Sequence, residues 1–165
     1  MMTETMIKVR FELDVPDWHG HGSETLWAAP VANSEWHHFE IRNSPFFATG
    51  INHLDVVTAR PTENETVFDF VAVAKRGGHS TYMILMQPGD TRTAAYWNML
   101  EKMGCSYEST HIGLSIGRRL LYSVDVPPTA DGYEVYDMLE RGHDDGVWIF
   151  QTGDSNIVRS TPSDE

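Results

Sequence analysis

The stretch from Ser80 to Thr152 constrains this chain most, because its hydrophobic period switches in a fixed order: strand, helix, strand, strand, helix, strand. Thr91 is placed to cap the first helix, and Tyr96, Met99, Leu100 and Met103 recur at the spacing of one helical face. Gly104 supplies the left-handed residue that stops that helix, and Cys105 opens the next strand. Leu120, Tyr122, Val124 and Val126 then alternate with Arg119, Leu121, Ser123 and Asp125 until Pro127-Pro128 closes the strand. Asp131, with Glu134 three residues on, resembles a capping box. Val135, Met138 and Leu139 face a core, Gly142 ends the second helix, and Val147 to Thr152 forms the last strand. This order predicts a split, or ferredoxin-like, βαββαβ unit. Such a scaffold fixes an architecture without fixing an activity.

The first half of the chain reads as strands. Ile7, Val9, Phe11, Leu13 and Val15 alternate with Lys8, Arg10, Glu12 and Asp14, which is the period of a strand with one buried face, and Pro16 ends it. Further strands are expected over Glu24 to Val31, Trp36 to Asn43, Leu54 to Ala59 and Val67 to Ala74, with Arg76-Gly77-Gly78 as a hairpin turn into Ser80 to Gln87. In Tyr82 to Met86 and Val147 to Phe150 both parities are apolar, so these strands need cover on both sides. Two helices shield one face, which leaves the other to the N-terminal strands. The expected fold is therefore α+β: a small N-terminal antiparallel β-sheet or half-barrel packed on a C-terminal ferredoxin-like unit. The expected divisions are a β-rich part over 6–78, a second part over 79–152 and a mobile polar tail over 153–165, the first two sharing one continuous body.

Composition bears on partners. Acidic residues number 24 against 12 basic ones, a formal net charge of −12, and such a surface repels phosphate backbones and anionic lipid. Nucleic acid and membranes are thus not expected as partners, whereas a basic protein or a small molecule is compatible. The single cysteine excludes an internal disulfide framework. No leader pattern is visible over Met1 to Arg10, and no apolar run approaches the ~18 residues of a membrane span, so a cytoplasmic location is expected.

One resemblance extends over nearly the whole chain except the tail. It is carried by Leu26-Trp27-Ala28, by the run Asn43-Ser44-Pro45-Phe46-Phe47-Ala48-Thr49-Gly50, and by Asp55-Val56-Val57. It continues through Gly78-His79-Ser80-Thr81, Leu100 to Gly104-Cys105, Val124-Asp125-Val126-Pro127 and Gly146-Val147-Trp148. In the order and spacing of these pieces the chain resembles the bacterial proteins grouped as domain of unknown function 4265. The resemblance implies a bacterial, cytoplasmic, stand-alone small protein, and supplies no catalytic or binding residue.

The residues themselves offer few reactive sets. His19, His21, His37 and His38 would suit zinc, nickel or iron if the loop at His19 folded over the third strand. However, Gly20 and Gly22 loosen that loop, no His-Glu-x-x-His occurs, and surface histidines are the commoner reading, so no metal or other cofactor is expected. Gly77-Gly78-His79-Ser80-Thr81 has the composition of a phosphate cradle, yet a strand and not a helix follows it. Gly117 to Tyr122 lacks the aromatic spacing of an RNA-binding sheet, and no Gly-x-Ser-x-Gly elbow is present. Cys105, just past a helix C-terminus, reads as a buried core residue. The constellation left is a candidate pocket at the seam between the halves, built from Asn43, Phe46, Asp55, His79, Ser80 and Thr81. The expected function is a non-catalytic binding or regulatory module acting through a protein partner or this pocket. The alternatives are a small hydrolase or metal-dependent enzyme using His79 with Asp55, or the four-histidine group, and an immunity-type protein that neutralises a basic toxin.

Overall fold

The computed structural model describes residues 5–32 and 37–156. Trp36, residues 1–4 of the stretch Met1 to Arg10, and residues 157–165 of the expected tail lie outside the described residues. Five strands come first: β1 (Ile7–Glu12), β2 (Ser23–Pro30), β3 (His38–Ile41), β4 (Val56–Pro61) and β5 (Val67–Lys75). Each pairs antiparallel with the next, and β5 returns to pair parallel with β1, so the set closes into a barrel. Val9, Leu26, Phe39, Ile41 and Val57 fill it.

The chain then crosses to a second sheet through Gly77 and Gly78, and β6 (Ser80–Met86) lies inside that sheet. Helix α1 (Thr93–Lys102) and strands β7 (Ser106–Leu114) and β8 (Gly117–Val126) follow, then α2 (Gly132–Asp144) and β9 (Trp148–Asp154). The strand order is β7-β8-β6-β9, all antiparallel. Tyr82, Ile84, Val124, Val126 and Trp148 point from the sheet toward the helices, where Trp97, Leu100, Val135 and Leu139 meet them. On the opposite face Met83, Ile112 and Leu121 are buried under Trp18, Phe46 and Phe47, which come from loops of the barrel. Cover there is partial, because Ile149 remains 53% exposed.

The expected fold class is corrected on this basis. The N-terminal strands form neither an open sheet nor a half-barrel; they close completely. Among the described residues nine strands stand against helices of 10 and 13 residues, so the chain is mostly β and not α+β. A helix of that length spans roughly 15–20 Å, whereas a ten-residue strand such as β8 spans about 33 Å. The helices therefore cover only part of the layer. The C-terminal half is a second antiparallel sheet carrying two short helices, in place of the ferredoxin-like unit expected. Closure escaped the sequence reading because it rests on Lys8 to Arg10 meeting Val67 to Asp69, a distant pairing that local alternation does not encode.

Smaller differences have local causes. The residues Arg76 to Gly78 form a crossover and not a hairpin, since β5 and β6 belong to different sheets. Arg92, not Thr91, stands at the first cap without a side-chain bond, while Asp90 accepts from the Arg92 N–H at 2.9 Å. Trp97 takes the buried place on α1, and Met99 is exposed. Asp131 does cap α2, accepting from the N–H groups of Tyr133 and Glu134. Gly142 does not end that helix: it is buried within it, and a Cβ there would overlap the Trp148 indole.

Candidate functional site

Residues directly opposite one another on paired strands share a sheet face, so the barrel-facing side of the second sheet can be followed in rows. The first row joins Ser106, Asp125, Thr81 and Asp154; the second joins Glu108, Ser123, Met83 and Gln151; the third joins Thr110, Leu121, Leu85 and Ile149. One end of the face is thus polar and the other apolar.

At the polar end a hydrogen-bonded network spans the seam. Asp55 has no exposed surface and accepts from the N–H groups of Asn52 at 3.0 Å and Gly77 at 2.8 Å. Arg76 donates to Asp55 at 3.0 Å, to Asp154 at 3.2 Å and to the Gly50 carbonyl at 2.9 Å. Asn52 donates to Asp154 at 2.7 Å and accepts from the Thr81 hydroxyl. Asn156 donates to Ser80 Oγ and to the His79 carbonyl, each at 2.7 Å. Glycine is required at 77, where a Cβ would come within 2.5 Å of the Leu54 carbonyl oxygen. Leu54 itself has φ of 68°, a left-handed conformation that is costly for a branched side chain.

Beside this network His79 and Asp125 pair at 2.8 Å, and His53 Nδ1 lies 3.7 Å from the other Asp125 oxygen. The two imidazoles meet edge to face, with centroids 5.3 Å apart. Among the described residues these three are the set of histidine, cysteine and acidic side chains whose donor atoms converge, all within 4.8 Å of one another. A cavity of about 80 Å³ adjoins them, bordered by Arg42, Asn43, Tyr107 and Glu108 as well as His53 and Asp125.

The residues expected to line a seam pocket are distributed as follows. Asn43 borders this cavity and accepts from the Trp27 N–H at 2.8 Å. Phe46 packs against the sheet, its loop held by Glu24, which accepts from the N–H groups of Phe46, Phe47 and Ala48. Asp55, Ser80 and Thr81 belong to the network, and the partner of His79 is Asp125. His19 and His21 pack on Phe47, whereas His37 packs on Phe39 and Phe68 of the barrel. Cys105 is buried, and that burial pushes its thiol up to about 12. His53 is outside the pocket expected from the sequence, where Asp125 reads as an ordinary alternating residue. The available signal was parity: Ser123 and Asp125 are polar on a strand whose two faces are both covered.

At the apolar end lies a groove of about 490 Å³ between Trp18 and the sheet residues Met83, Leu85, Leu114, Leu121 and Ile149. Trp18 belongs to the connection between β1 and β2, so this groove also lies at the seam.

The model of the family described as domain of unknown function DUF4265 matches residues 24–150. The chain belongs to that family. A crystal structure of a hypothetical protein from Neisseria gonorrhoeae is similar to this DUF4265 protein with a TM-score of 0.66, at 16% identity, over 93% of this chain and 96% of that one. That likeness establishes a shared fold. The comparison with curated proteins found no match. Among the described residues no helix is long and apolar enough to cross a membrane.

Proposed function

We propose that this protein is a non-catalytic binding module that takes a small, mainly apolar molecule in the groove at the seam. The supporting observation is the groove itself, about 490 Å³ and walled by Trp18, Met83, Leu85, Leu114, Leu121 and Ile149. Its size falls within the range of small-molecule sites. Ser115 and Gln151 offer the groove a few polar groups that can orient a ligand. Each methylene removed from water contributes about 0.8 kcal/mol, so an occupant burying six or seven contributes roughly 5 kcal/mol before association costs. Weak affinity follows, no tighter than about 0.2 mM from this contribution alone. A reducing cytoplasm suits a chain with one cysteine, itself buried.

Nile red, a neutral apolar dye, tests this reading. Saturable, blue-shifted fluorescence at about one dye per chain is expected, and Ile149→Asp should weaken it at least about tenfold. Ile149 is mostly exposed, so the variant should keep the parent's thermal midpoint. Unsaturable binding, or binding unchanged in the variant, would refute the assignment.

A further inference from the structure

We infer that His53, His79 and Asp125 form a site for a divalent first-row transition-metal ion, with zinc the best match to the donors. Two imidazole nitrogens and one carboxylate are a common protein contribution to an ion that keeps further positions open. Each donor comes from a different, well-anchored place: the turn before β4, the crossover into β6, and the end of β8. The carboxylate already reaches both rings, 2.8 Å from His79 Nδ1 and 3.7 Å from His53 Nδ1.

An ion held at about 2.0–2.2 Å from each ligand separates its donors by roughly 3–3.6 Å. All three donor atoms lie within 4.8 Å of one another, so the set needs only a small contraction. His53 is the residue free to supply it, its side chain being 31% exposed while those of His79 and Asp125 are 11% and 13% exposed.

A plain ion pair between His79 and Asp125 would tie the crossover to the sheet, and that accounts for two of the three residues. It does not account for His53, which is held beside them by a turn in which Leu54 adopts φ of 68° and donates to the Ile41 carbonyl at 2.8 Å. Backbone strain of this kind tends to be retained where a side chain must be aimed. The adjoining cavity of about 80 Å³ can take a water or a small ligand at an open coordination position. Glu108 and Arg42 both border this cavity, so its wall carries one charge of each sign.

The test uses the full chain without a histidine tag, stripped with chelator, dialysed and titrated with zinc chloride in a calorimeter. One ion per chain at about 10 µM affinity or tighter is expected. His53→Ala and His79→Gln should each weaken binding at least about tenfold, while His111→Ala, on the exposed strand β7, should leave it unchanged. Cobalt in place of zinc should give visible absorption bands of four- or five-coordinate metal, lost in His53→Ala. Because His53 is partly exposed, its replacement should keep the fold, as circular dichroism would verify. Failure to bind up to about 1 mM zinc, or binding unaffected by His53→Ala, would overturn the inference. So would a loss confined to His79→Gln, which would return the pair to a structural role.

Discussion

Replacing Asp55 should show what fastens the seam. Its carboxylate is fully buried and receives Asn52 N–H, Gly77 N–H and Arg76. In Asp55→Ala the N–H of the fully buried Asn52 loses its acceptor, which costs about 2 kcal/mol. Gly77 is exposed, so water can replace its bond at a cost of about 1 kcal/mol. Arg76 has a side chain 44% exposed, and solvent screens its pairing to at most about 1 kcal/mol. The expected loss for Asp55→Ala is therefore about 3–4 kcal/mol. Arg76→Ala leaves both N–H donors on the carboxylate and should cost about 1 kcal/mol. Asp55→Asn, which keeps one acceptor but turns an amino group toward a donor, should fall between them. Urea unfolding measures all three, with a midpoint shift of up to about 2 M for the largest loss. If Arg76→Ala proved as damaging as Asp55→Ala, the charge pair and not the backbone donors would hold the seam, and this reasoning would be wrong.

Gly142→Ala sets a helix preference of about 1 kcal/mol in favour of alanine against the collision of its methyl with the Trp148 indole. The indole also donates to the Leu139 carbonyl at 2.9 Å, so the collision should prevail, with a net loss of about 1–2 kcal/mol and a melting midpoint several degrees lower. Cys105 should resist alkylation at pH 8 in the folded protein and react within minutes once unfolded, because burial holds its thiol at about 12. The unfolded thiol ionises first, so this group's contribution to stability is full below about pH 8.5 and is lost as pH rises toward 12. A Cys105→Ala variant should show a shallower alkaline decline in unfolding free energy.

Local patterns conveyed the elements better than their assembly. Alternation from Ile7 to Glu12 and from Leu120 to Val126 corresponds to β1 and β8, and Asp131 caps α2 as its spacing implies. Three features were not local. Barrel closure depends on β1 finding β5, the place of β6 in the second sheet depends on a crossover, and Gly142 is set by an indole in a following strand. The site divides in the same way. His79 and Thr81 are visible as polar residues beside the expected turn and Asp55 as one at the start of an expected strand, but the partners that define their roles are Asp125, Asn52 and Arg76. Only Arg76 adjoins that turn in sequence; the others arrive from different parts of the chain.

The parallel closure of the barrel has a consequence for how the chain is made. Arg10 meets Asp69 across it, a separation of 59 residues. At roughly 5–20 residues per second, the first strand waits several seconds after its own synthesis before its second neighbour exists. During that interval it has β2 on one side and an unpaired edge on the other, the geometry that invites pairing with a foreign chain. Lys8, Arg10 and Glu12 place charge along that edge, so the residues later found outside the barrel also guard the nascent strand.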